Sequence, residues 1–64
     1  MSIYNAATRA ANAAVKLARS LDNTEDKYDP ISGFSQDAIV NYLRQENTDE
    51  ADAVLRRFNI PIVV

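Results

Sequence analysis

Three sets of side chains in this sequence have chemistry to offer: the carboxylates Asp22, Glu25, Asp26 and Asp29, the cations Arg9, Lys16 and Arg19, and the tyrosines Tyr4, Tyr28 and Tyr42. The carboxylates crowd one short stretch and invite a calcium reading. A calcium loop of the helix–loop–helix type needs glycine at its sixth position and an acid at its twelfth. Counted from Asp22, those positions hold Lys27 and Gly33, so the stretch reads as a solvated acidic turn. Acid–base work by a carboxylate pair requires a cleft that pushes two pKa values apart, and a chain of 64 residues has little room for one. The tyrosines read as amphipathic residues at the edge of a core. Histidine and cysteine are both absent. That removes the commonest general base, the thiol nucleophile, disulfides and the usual ligands of zinc or haem. The expectation is a protein that is not an enzyme, with no catalytic residue, no metal and no cofactor.

The cations are more informative, because Arg9, Asn12, Lys16 and Arg19 fall on one helix face. Such a stripe could track phosphates, so small helical nucleic-acid binders are a candidate class. The stripe has only three cations and no interleaved aromatics, and the whole chain carries a net charge of −2. Because phosphate neutralisation supplies most non-specific nucleic-acid affinity, that balance argues against strong binding. Charge is unevenly spread: residues 1–21 hold +3 and no acid, while residues 22–64 hold nine acids against four cations. The preferred reading is that the two halves neutralise each other, within one chain or between subunits. No apolar run approaches the roughly 18 residues of a membrane span, and no signal peptide is expected at the start of the sequence. An amphipathic helix whose apolar face is mostly alanine has little area with which to hold a membrane surface.

The elements that must position these residues follow from periodicity. Ile3, Ala7, Ala10, Ala14, Leu17 and Leu21 alternate in steps of four and three, the seam of a heptad repeat, and predict a helix over residues 3–21 with Ser2 as its cap. Ala6, Ala13, Tyr4 and Val15 widen the apolar arc, and Ala18 joins the seam. A helix packed on one neighbour needs an apolar stripe about 100° wide. This arc covers more than half the circumference, which predicts at least two neighbours and marks Ile3, Ala7, Ala10, Ala14, Leu17, Ala18 and Leu21 as a partner interface.

Residues 22–35 read as a connector, with Asp29-Pro30 and Gly33 as turn formers. A short helical turn near Pro30 is expected to lay Tyr28, Ile31 and Phe34 over the core. Ser35 then caps a second helix. Asn47-Thr48-Asp49 is poor helix, and Asn47 with Glu50 reads as a new capping box. This favours two helices, 36–46 and 48–58, over one long helix with a buried Asn47. The segment FNIPIVV is extended, since Pro61 blocks helix and Ile60, Ile62, Val63 and Val64 favour a pleated backbone. The preferred reading is an arm folded over its own bundle. The alternative makes Ile60, Ile62, Val63 and Val64 a second partner interface, reaching into a neighbour.

Residues 33–55, with Gly33-Phe34-Ser35, Leu43, Ala51 and Leu55, loosely resemble the second and third helices of a ubiquitin-associated domain. In that family the Gly-Phe turn contacts ubiquitin and follows directly on an apolar first helix. Here Asp29 to Ser32 precede it, with a proline among them, so that helix is missing; the resemblance spans about a third of the chain and is not carried further.

Taken together the residues predict one all-α domain over 1–64, a small helical bundle without an internal staple. Chains this short bury only about 60% of their unfolded surface, so further stability is expected from a partner. The function expected is a protein–protein interaction or assembly subunit, pairing with itself or within a larger complex such as a viral or bacterial particle. A nucleic-acid-binding regulator, or an inhibitor or adaptor of one specific protein, is the alternative.

Overall fold

The computed structural model describes residues 5–62, and they form three α-helices, each packed against the other two. The first, α1, is Ala6–Asp22. Asn5 caps it in extended geometry, its side-chain oxygen accepting from the Thr8 amide at 2.9 Å. The cap is therefore Asn5 rather than Ser2, and the helix starts three residues later than the heptad pattern suggests. Asn is among the strongest N-caps, because its short amide satisfies one of the four free N–H groups of the first turn. Ser2, Ile3 and Tyr4 lie outside the described residues.

The second and third helices, α2 (Gln36–Glu46) and α3 (Asp49–Arg57), follow the expected division closely. Ser35 caps α2 through the Ala38 amide, and Thr48 caps α3 through the Ala51 amide. Asn47 is not the cap of α3. It closes α2 in the left-handed region at φ 50°, a conformation that asparagine tolerates better than most side chains. Two adjacent polar residues thus end one helix and start the next, and the alternative of one long helix is excluded. Asp49, Glu50 and Asp52 in the first turn of α3, with Arg56 and Arg57 in its last, match the helix dipole at both ends.

Beyond α3 the chain reverses. The Ile60 amide donates to the Leu55 carbonyl at 2.9 Å and the Asn59 amide to Arg56 at 3.0 Å, with Asn59 at φ 59°. This pair of bonds around a left-handed residue is the Schellman arrangement. It directs Ile60 and Ile62 back onto the core, where both are partly buried. Arg44 of α2 then donates twice to the Pro61 carbonyl, at 3.1 and 2.8 Å, and pins the arm down. Ile60 and Ile62 are thus packed on their own bundle, the arrangement the preferred reading expects; Val63 and Val64 lie outside the described residues.

The core consists of Ala10, Ala13 and Leu17 from α1, Ile39, Val40 and Leu43 from α2, and Ala51, Val54 and Leu55 from α3, with Ala14, Phe58, Ile60 and Ile62 packed around it. Among these, Leu17, Leu43 and Leu55 are fully enclosed. The inward seam of α1 is therefore Ala10, Ala13, Leu17 and Ser20, not the heptad beginning at Ile3. Relative to the expected seam, the helix is turned by roughly 60° toward its basic stripe, at 100° per residue. Ser20 sits on the buried seam with its hydroxyl donating to the Leu17 carbonyl at 2.7 Å, so no polar atom is stranded there.

Candidate functional site

Turned this way, α1 sets two of its cations against acids on the neighbouring elements. Arg9 Nε donates to Glu46 Oε1 at the end of α2. Arg19 grips Asp29 with both arms of its guanidinium, Nε to Oδ1 at 2.7 Å and Nη2 to Oδ2 at 2.8 Å. The halves of opposite charge do face each other, and they do so within one chain. Carboxylates raise both guanidinium pKa values, and the hydrogen bond dominates in each case.

Asp29 is the anchor of the connector. Its side chain is fully buried, contrary to a solvated acidic turn. Besides Arg19 it accepts from the Ser32 hydroxyl at 2.6 Å and the Ile31 amide at 3.0 Å. Its own amide donates to the Phe34 carbonyl at 2.8 Å, and its carbonyl accepts from the Gly33 amide at 2.7 Å. The loop between closes through an antiparallel bridge of Tyr28 with Ser35, and Gly33 at φ 82° occupies a conformation that side chains resist. The Arg19 hydrogen bonds, then those from Ser32 and Ile31, hold the Asp29 carboxyl well below the usual carboxylate range and outweigh the cost of desolvating it. Its satisfaction is complete, which is why this charge is tolerated inside so small a domain.

The connector does not lay its apolar side chains over the core. Tyr28, Ile31 and Phe34 are all exposed, Ile31 at 76%. The expected helical turn near Pro30 is a single turn that points Ile31 outward. Phe34 instead lies beside α1, with Lys16 Nζ 4.8 Å from its ring centre. Between α1 and α2 this leaves a groove of about 420 Å³, lined by Arg9, Asn12, Ala13 and Lys16 on one wall, Ala38, Ile39 and Tyr42 on the other, and Phe34 at the connector. The stripe Arg9, Asn12, Lys16 and Arg19 therefore does not stand free. Three of its members line a groove, and the fourth is the clamp that holds the connector.

The opposite flank of α1 is different. Ala7, Ala11 and Val15 are exposed, Leu21 is 36% exposed, and Ala14 and Ala18 are half-buried. Of the residues expected to meet a partner, Ala10 and Leu17 are consumed by the core, Ala14 is shared with it, and Ala7, Ala18 and Leu21 remain on this flank. Ala11 and Val15 belong to it as well. The signal that finds them is the position of the charges: once the basic stripe is drawn inward, the flank facing away must run through Ala11 and Val15.

Among the described residues, no group of three or more acidic, histidine or cysteine side chains converges on a metal site. No helix of the described chain is long and apolar enough to cross a membrane. No family model, no curated protein and no solved structure matches this chain. The class defined by fold and surface is a small three-helix all-α module with two unlike sides to its first helix.

Proposed function

We propose that this chain is a non-enzymatic protein–protein interaction module that assembles through the uncovered flank of α1, with a second copy of itself as the first partner. The observation that carries this reading is that the apolar arc of α1 is wider than the bundle covers. Ala7, Ala11, Ala14 and Ala18 are spaced four, three and four apart, the repeat of a helix–helix seam. The pattern reads nearly the same in both directions. In an antiparallel pair, Ala7 would meet Ala18 of the second copy and Ala11 would meet Ala14, which is the self-complementarity that a two-fold interface needs. Side chains this small let helix axes approach to about 8 Å, so backbone dispersion supplies contact that alanine area alone does not. Val15 and Leu21 add larger apolar surface at the flank's edges.

Sedimentation equilibrium from micromolar to millimolar concentration tests the proposal. The expected result is a reversible dimer that Ala11→Glu converts to monomer with its helix content unchanged. A wild-type chain that stays monomeric throughout overturns it. The nucleic-acid reading has less support, since Arg9 and Arg19 are each already paired with a carboxylate.

A further inference from the structure

The groove between α1 and α2 runs against the charge of the molecule that carries it. The chain is net −2, yet the residues lining the groove include Arg9 and Lys16 and no carboxylate. The acid nearest in the hydrogen-bond network, Glu46, is engaged by Arg9 and also accepts from the Tyr42 hydroxyl at 3.4 Å. The groove floor is apolar and small, built from Ala13 and Ile39, both buried, with Ala38 beside them. Its rims carry two large exposed aromatics, Phe34 at 51% and Tyr42 at 41%. Lys16 is laid across the Phe34 ring, which holds an ammonium group at the groove's edge.

From this combination we propose that the groove docks an amphipathic helix of a partner protein, which inserts one large apolar side chain between Phe34 and Tyr42 and sets a carboxylate against Lys16. Each part of the occupant answers a feature of the site. Ala13 on the floor and the exposed Ala38 at its edge leave room for an anchor, because a larger side chain at either position would fill it. The volume of about 420 Å³ falls in the range of about 300–1,000 Å³ in which ligand pockets lie. From Arg9 to Lys16 the wall spans two turns of α1, about 10 Å, so a helix presenting residues at one-turn intervals matches its length. Lys16 then prefers acidic neighbours of that anchor and disfavours basic ones. This surface lies on the other side of α1 from the alanine flank, so the chain can dock a partner and pair with itself at once.

The site is tested with a display library of random amphipathic helical peptides about three turns long, selected against the intact wild-type chain. The expected winners combine leucine or an aromatic residue with Asp or Glu one turn away. Amide signals of Asn12, Lys16, Ala38 and Tyr42 should shift in heteronuclear NMR when such a peptide is added. Lys16→Glu is expected to weaken binding by about 10-fold or more, and Ala38→Trp, which fills the slot from an exposed position, to abolish it. Neither variant touches the alanine flank, so sedimentation behaviour should remain that of the wild type. The proposal is overturned if selection enriches nothing, if the winners lack acids, or if their signals map to Ala7, Ala11 and Val15. It is equally overturned if Lys16→Glu and Ala38→Trp bind as wild type, or if a single-stranded oligonucleotide binds the groove more tightly than the selected peptides.

Discussion

The two flanks of α1 are built from unlike material and end in opposite states. One carries Arg9, Lys16 and Arg19 and is drawn against α2 and the connector, with two of its cations in ion pairs and the third over an aromatic ring. The other carries Ala7, Ala11, Val15 and Ala18 and is left facing outward. Between them the apolar seam of Ala10, Ala13 and Leu17 is buried, and the cations beside it stay partly exposed. The difference teaches that in a chain this short the supply of large side chains decides which flank is covered. Leu43, Leu55, Ile39, Val40 and Val54 suffice for one side. The charge pairs available on that side form as well. Ala7 and Ala11, which would remove little area from water, are left exposed.

The sharpest test of this contrast lies on the seam between the flanks. Leu17→Ala, at a fully enclosed position, is expected to cost about 2–5 kcal/mol, comparable with the whole stability of a domain this size, and to abolish the cooperative thermal transition seen by circular dichroism.

Next comes the basic flank. Asp29→Asn leaves Arg19 without a counter-charge beneath a loop that depends on it. The expected fall in Tm is roughly 10 °C, and the resonances of Phe34 and Lys16 should lose their mutual shifts. The same variant changes the response to acid. Because Asp29 titrates lower when folded than when unfolded, its contribution is fully present above the ordinary carboxylate pKa of about 3.9 and is lost as pH falls from there toward the folded value. Wild-type Tm should therefore drop steeply below about pH 4, and Asp29→Asn should flatten that part of the curve. An unchanged slope would show that the clamp matters less than its geometry suggests.

Asn5→Ala removes the cap that both flanks share. A loss of about 1 kcal/mol in urea unfolding, without any change in assembly, would separate helix stability from partner contact. The smallest effect on folding is expected on the alanine flank: Ala11→Glu should alter stability by less than about 0.5 kcal/mol while removing self-association. A large folding defect in that variant would mean that the flank is already covered by its own chain, and the comparison would fail.

Much of this was legible before any coordinates. Ser35 is a short hydroxyl residue just before an apolar periodic run, and Asn47-Thr48-Asp49 is poor helix, so the division into α2 and α3 could be read directly, although the cap of α3 is Thr48 and not the expected Asn47. Pro61 and its aliphatic neighbours likewise announced an extended arm. The rotation of α1 could not be read this way. A helix with apolar residues around more than half its circumference offers several seams of similar hydrophobicity, and periodicity alone does not choose among them. Asp29 was hidden for a related reason: four acids close together look alike in sequence, and only the reach of Arg19 from one helical turn of α1 distinguishes the one that is buried.

The sequence by itself thus determined what local interactions decide: three helices, the Ser35 cap, the break at Asn47 and the arm. These depend on backbone groups within a few residues of the side chain that satisfies them. Tertiary structure alone decided which face of α1 is inside, which acid carries the connector, and that a groove lies between Lys16 and Tyr42. Those outcomes come from residues far apart in the chain competing for the same few large side chains and the same two guanidinium groups, and that competition has no local signature.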